Sequence, residues 1–349
     1  MEESVKIEKL GNIVDVKGGK RLPKGISLIS TPNNHPYIRI RDLGASKILE
    51  LNSAYEYVDD ETQKTIARYI VSSGDILISI VGTIGLVGIV GDSLHGANQT
   101  ENCVKLVNLK GIDRDYLYYF LSSNLGQNEI KRGIVGAVQS KLPIKNIENI
   151  NIPLPSLALQ KSIASILSSL DSKIELNRRI NDNLEQQAQL LFDNLIDASD
   201  WSTTQFLSEL SEINPPRKLS KGEYAPFVEM SNMPTSGSFP SRIDYKEYNG
   251  GMKFRNGDTI MARITPCLEN GKAAYVNFLK ENEIGFGSTE YIVLAPKKTI
   301  SSSFLYFLVR NKDFVDYAVK HMNGSSGRQR VSGDTIGNYQ LPILDRNKL

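Results

Sequence analysis

The stretch 156-SLALQKSIASILSSLDSKIELNRRINDNLEQQAQLLFDNLI-196 contains neither Gly nor Pro. A run of that length without a breaker predicts one uninterrupted helix, and Pro153 and Pro155 punctuate its start. Apolar residues recur along it at heptad spacing: Ile163, Leu167, Leu170 and Ile174, then Leu184, Ala188, Leu191 and Leu195. The seam positions between them, Asn177 and Asn181, are polar. This is the pattern of a coiled-coil-type helix, in which buried Asn fixes register at a cost in stability. About forty residues at about 1.5 Å each give a rod of roughly 60 Å, longer than the roughly 34 Å of one duplex turn. The helix is expected to be a spacer.

On either side of it the chain says the same thing twice. The opening segment 10-LGNIVDVKGG-19 is answered by 207-LSELSEINPP-216, and 36-PYIRIRDL-43 by 226-PFVEMSNM-233. A Gly-Asp turn feeds a strand in 74-GDILISIVGTIGLVGIV-90 and again in 257-GDTIMARITPCLENGKAAYV-276. Then 100-TENCVKLV-107 pairs with 289-TEYIVLAP-296, and 116-YLYYFLSSN-124 with 304-FLYFLVRNK-312. Finally 136-GAVQSKLPIKNIENINIP-153 and 325-SSGRQRVSGDTIGNYQLP-342 both pass from a small polar loop through Gln to an Ile and a Pro. Six elements in one order mean a duplicated domain. Each copy reads as α+β, with short β-branched strands bounded by Gly, Asn or Pro. One aromatic-faced helix is expected over 113–123 in the first copy and 302–310 in the second. The predicted layout is a first domain at 1–155, the spacer helix at 156–197 and a second domain at 198–349.

Composition is that of a globular protein, 40% hydrophobic and 23% charged, with a formal net charge of +2. That charge is too small to identify a nucleic-acid partner and leaves room for local basic patches. The longest apolar run, 76-ILISIVGTIGLVGIV-90, is Gly-studded and too short to cross a bilayer as a helix. The start MEESVKIEKL lacks the apolar core of a signal peptide. Cys103 and Cys267 lie far apart, as reduced cytoplasmic thiols would, and His35, His95 and His321 are too scattered for a metal site. A cytoplasmic protein without a membrane partner is expected.

Taken together, these residues resemble the specificity subunit of Type I restriction-modification systems. The matching text is 74-GDILISIVGTIG-85, 139-QSKLPIKNIENINIPLPSLALQK-161 and 257-GDTIMARITPCLENGKA-273. The resemblance implies two target recognition domains, each reading one half of a split site in double-stranded DNA. It implies a noncatalytic chain that docks methyltransferase subunits, two per specificity subunit, together with restriction subunits. S-adenosylmethionine, ATP and Mg would then belong to those partners, with no cofactor here. The resemblance also places a second spacer helix after the second domain, and 341-LPILDRNKL-349 stops where that helix is expected to begin. A homodimer through the first spacer helix is the expected substitute.

Several residues are candidates for DNA contact. Lys17, Lys20, Arg21 and Lys24 crowd a Gly-rich loop suited to phosphate, and Arg217, Lys218 and Lys221 recur at the corresponding place. A solvated loop explains either cluster alone. Arg39 and Arg41 alternate with apolar residues, so on a strand they share a face and can address guanine edges. An ion pair with Asp42 or a nearby Glu is an equal alternative. Gln139, Ser140 and Lys141, and Asn323, Arg328, Gln329 and Arg330, offer the amides and cations that read base edges in the major groove.

Two motifs are set aside. The run 82-GTIGLVGIVG-91 is β-rich on both sides and lacks G-K-[ST], so it reads as strand–turn–strand rather than a phosphate loop. In 214-NPPR-217, Arg217 stands where an amino-methyltransferase motif needs an aromatic, so it reads as a Pro turn. The residues alone leave open a protein- or carbohydrate-binding scaffold, and an enzyme with an unrecognised site. Strong salt dependence of duplex binding would separate DNA recognition from both.

Overall fold

The computed structural model describes residues 5–136, 138–298, 300–325 and 327–343. Residues 344–349, where a second spacer helix is expected to begin, lie outside the described residues. Two compact units emerge, 1–175 and 176–349, and the sequence-predicted helix runs unbroken from Leu157 to Asp197.

Within the first unit, five strands form a sheet in the order Asp15–Gly18, Cys103–Val107, Ile76–Ser79, Val87–Val90, Ile48–Leu49. Ile76–Ser79 is buried along its whole length, which is why it reads as a continuous apolar run instead of an alternating one. A smaller sheet joins Glu56–Tyr57, Pro36–Ile38 and Asn98–Gln99. Two helices, Arg114–Ser122 and Asn124–Arg132, cover the larger sheet. The second unit repeats the scheme. Its sheets are Ser211–Ile213, Tyr291–Pro296, Thr259–Ala262, Ala273–Tyr275, and Asp244–Glu247, Tyr224–Val228, Gly285–Gly287, Met252–Phe254. Its helices are Ser302–Leu308 and Lys312–Lys320.

The duplicated Gly-Asp turn has a backbone cause. Gly74 and Gly257 sit at φ 89° and 90°, a region that favours glycine. The following carboxylate then accepts a backbone N–H, from Ser72 to Asp75 at 2.9 Å and from Arg255 to Asp258 at 2.8 Å. Sequence reading ended the aromatic helix at 123 and 310 and missed its successor. The signal was present, since Ser123 and Asn311 each cap the next helix, accepting from Gly126 and from Asp313 and Phe314.

Each unit closes on itself. Lys6–Lys9 pairs antiparallel with Asn151–Leu154, and Thr204–Phe206 with Gln340–Pro342. The spacer helix is shared between the units. In the first, the buried Gln160 accepts from the Asp113 N–H at 2.9 Å and donates to the Pro155 carbonyl at 2.9 Å. Lys47 Nζ donates to Ser168 at 2.7 Å, and the Tyr119 hydroxyl to Asp171 at 2.6 Å. In the second, Tyr306 donates to Glu185, Gln189 to the Phe307 carbonyl and Asn311 to Asp193. Phe192 packs edge-on to Phe304 with ring centroids 5.1 Å apart, beside the buried Ile196. Phe192→Ala should cost the second unit about 3–5 kcal/mol, read as a lower urea midpoint at that unit.

Candidate nucleic-acid interface

In both units a loop is pinned across the end of the central strand. Lys141 bridges Val135 and Val81, and Arg330 bridges Asn323 and Ile264. The next residue repeats the bond: Leu142 N–H donates to Ile80 O at 2.9 Å, and Val331 N–H to Arg263 O at 3.0 Å. Lys141 and Arg330 are therefore equivalent, and so are Ser140 and Gln329. Matching the two glutamines in sequence puts the copies one residue out of step, because the loop from 323 to 330 is one residue longer than that from 135 to 141. The Thr-Glu pairs slip likewise. Ile80 N–H donates to Asn102 O where Arg263 N–H donates to Glu290 O, so Glu290 stands opposite Asn102, not Glu101.

The side chains of Gln139, Ser140, Lys141, Asn323, Arg328 and Gln329 are exposed on these loops. Arg330 is a correction. Its Nε donates to both Glu290 oxygens, at 3.0 and 2.9 Å, and Nη2 donates to Oε1 at 2.7 Å. Nη1 donates to the Arg328 carbonyl at 2.9 Å. The guanidinium braces the loop, and its bonds hold the Glu290 carboxyl below its ordinary value, helped by the charges of Arg330 and Arg263. Sequence reasoning missed Arg263 and Glu290, since neither lies in a basic or amide-rich run.

The opening loops differ more than their composition suggested. In the first unit Lys17, Lys20, Arg21 and Lys24 are all exposed. Gly19 passes so close to Thr100 that a Cβ would lie 2.1 Å from its carbonyl oxygen, which requires glycine there. Arg21 Nε donates to Glu101 at 2.6 Å. Burial would raise the Glu101 carboxyl, but Arg21 and nearby hydrogen bonds hold it low. In the second unit Lys218 and Lys221 are exposed, whereas Arg217 is a second correction. Its side chain is 7% exposed and Nη2 donates to both oxygens of Asp258 at 2.6 Å. This buried pair holds the Pro turn onto the Gly-Asp turn and is withdrawn from any phosphate.

Arg39 and Arg41 do not share a strand face. The strand ends at Ile38, and Ile40–Asp42 is a 3-10 turn capped by Arg39. Both arginines pair with Glu56, and Arg41 also lies 3.6 Å from Asp42. The ion-pair alternative is the one observed. Gly-rich 82–91 is a turn leading into the strand Val87–Val90, with no helix to receive a phosphate. Among the described residues no cluster of three or more metal-ligating side chains occurs, and no helix is long and apolar enough to cross a membrane.

The heptad stripe of the spacer helix divides. Ile163 and Leu195 pack partly into their own units, and Leu167 is half-buried. Leu170, Ile174, Leu184 and Leu191 are 52%, 50%, 57% and 71% exposed. Asn177 and Asn181 are exposed with them. The stripe is palindromic about the point midway between Asn177 and Asn181, with Ile174 and Leu184, Leu170 and Ala188, and Leu167 and Leu191 equidistant from it.

A family model described as "Type I restriction modification DNA specificity domain" matches residues 2–186 and 199–345. The Type I restriction enzyme EcoAI specificity subunit of Escherichia coli is 31% identical over 54% of this chain, and the match spans 32% of that relative. The MjaIX specificity subunit of Methanocaldococcus jannaschii is 23% identical over 87% of this chain and 75% of its own length. A solved Type-I restriction-modification S subunit from M. genitalium covers 100% of this chain and 88% of that one, with 16% identity and a TM-score of 0.58. That likeness concerns the fold: two α+β units with a long helix between them in sequence.

Two neighbouring basic residues of the second opening loop, Arg217 and Lys218, should respond differently. Arg217→Ala strands Asp258 without its partner and should destabilise the second unit by about 3–5 kcal/mol. Lys218→Ala should leave the unfolding midpoint unchanged. Urea titration of both variants checks this.

Proposed function

Because the chain belongs to the family of Type I restriction modification DNA specificity domains, we propose that it is a noncatalytic subunit reading a bipartite site in double-stranded DNA. Each unit reads one half-site, and the chain directs methyltransferase and restriction subunits to the whole. The observation that carries this reading is one backbone bracket used twice with different side chains on it. Exposed Ser140 in the first unit stands where exposed Gln329 stands in the second, and exposed Lys141 stands where Arg330 is held by Glu290. Equal scaffolds with unequal donors and acceptors are what two different half-sites require. Exposed Lys17, Lys20, Lys24, Lys218 and Lys221 supply phosphate contact. S-adenosylmethionine, ATP and Mg belong to the partner subunits, and no step of their chemistry is assigned to this chain.

With cognate modification subunits, the chain should direct methylation to one bipartite site, and alone it should transfer no methyl group. Exchanging residues 201–349 for those of another family member should change one half-site and preserve the other. Methylome sequencing reads both outcomes. Change in both halves or in neither would defeat the modular reading.

The exposed face of the spacer helix is the proposed docking surface for a second copy, packed antiparallel about a two-fold between Asn177 and Asn181. The palindrome places Ile174 beside Leu184 of the other helix, Leu170 beside its Ala188, and Asn177 against its Asn181, where the amides can hydrogen-bond across the seam. Each apolar side chain on the stripe is worth about 1.5–3 kcal/mol on full burial, and two-fold pairing is the commonest homo-oligomer. Light scattering should give a concentration-dependent dimer mass that Leu170→Asp with Leu184→Asp abolishes. A monomer mass at every concentration overturns the pairing.

A further inference from the structure

Resting on the DNA-reading proposal, we infer that Arg263 is a further specificity-determining residue of the second unit, with Glu290 and Arg330 as the brace that places it. Arg263 follows directly on the strand Thr259–Ala262, under the bracket that carries Arg328 and Gln329. Its backbone is fixed in both directions, the N–H donating to Glu290 O at 3.0 Å and the carbonyl accepting from Val331 N–H at 3.0 Å. Two residues on, Thr265 N–H donates to the Gln329 carbonyl at 3.0 Å, so the strand end and the reading loop are held together.

The side chain is left without an acceptor. Arg263 Nε is buried and meets no hydrogen-bond partner, and among the described residues its guanidinium forms no ion pair. The acid whose ionisation it favours, Glu290, already has both oxygens engaged by the Arg330 fork. Arg330 thus takes the carboxylate in a fork that Arg263 does not enter, which leaves the Arg263 charge without an ion pair and its Nε unfilled beneath an exposed polar loop. A buried donor without a partner is unfavourable. The two Nη groups are not among the buried unfilled atoms and can meet an incoming acceptor, and the O6/N7 edge of guanine presents the two-point acceptor that a guanidinium matches. The first unit carries Ile80 at this register, so the same bracket there offers no such donor.

Arg263→Ile installs the residue that the first unit tolerates at this position, and Arg263→Lys keeps the charge without the fork. A duplex is first selected from a random-sequence pool by the full chain with its modification subunits. Binding is then measured on that duplex, on versions substituted base by base, and on a scrambled duplex across a salt series. Arg263→Ile should lower affinity for the selected duplex about tenfold or more and relax preference at one or two base pairs of a single half-site. Arg263→Lys should recover affinity but not preference. Equal losses on selected and scrambled duplexes, with the salt slope reduced by about one, would make Arg263 a phosphate contact and overturn the specificity role. Unchanged binding by Arg263→Ile, with the wild-type chain still selecting a duplex, overturns the inference alone. If the wild-type chain selects no sequence, the DNA-reading proposal falls with it.

Discussion

The ends of each unit are hydrogen-bonded to each other, and the rest of the architecture depends on that closure. Lys6–Lys9 lies along Asn151–Leu154, and Thr204–Phe206 along Gln340–Pro342. The chain therefore arrives at and leaves each unit through one short ribbon. A module closed in this way brings the two ends of its chain together where the long helix is attached. In the first unit the helix begins directly after the closing strand, and Gln160, buried and hydrogen-bonded at 2.9 Å to both Asp113 and Pro155, anchors its first turns.

With closure handled by backbone bonds, the side chains around the bracket are free to differ. Lys141, Asn102 and Ile80 in the first unit stand where Arg330, Glu290 and Arg263 stand in the second. One set is a lone cation over an amide and an aliphatic group. The other is a cation held on an acid beside a second cation without an ion pair among the described residues. The backbone register is the same in both, so a change of chemistry here does not require a change of fold.

Much of this was legible in the sequence, and the failures have specific causes. The spacer helix announced itself by the absence of Gly and Pro, and the duplicated turns by glycines at φ 89° and 90°. Arg39 and Arg41 were placed on a strand face because alternation alone cannot distinguish a strand from a strand ending in a 3-10 turn. Arg217 and Arg330 looked like surface cations because their acids, Asp258 and Glu290, are distant in sequence and meet them only in the folded unit. The one-residue slips came from aligning Gln with Gln and Glu with Glu, where the backbone bonds set a different register. Arg263 went unnoticed for the converse reason. It lies inside a strand-like run, and only its unfilled Nε marks it.

The closing ribbons also impose an order in time. As the chain is synthesised, Lys6–Lys9 must wait for residues 151–154 before its edge is paired, and long-range pairing of this kind is slow and exposed. A second closing strand, Gln340–Pro342, is made later on the same polypeptide and offers a similar template. The waiting strand reads KIEK, and charged residues are how an unpaired edge discourages the wrong neighbour. Once the ribbon closes, Lys9 Nζ donates to the Asn151 side chain at 2.8 Å and to the Asn149 carbonyl at 3.0 Å. Charge on the first-made strand thus serves the interval before its partner exists, and the same lysine is satisfied once that partner arrives.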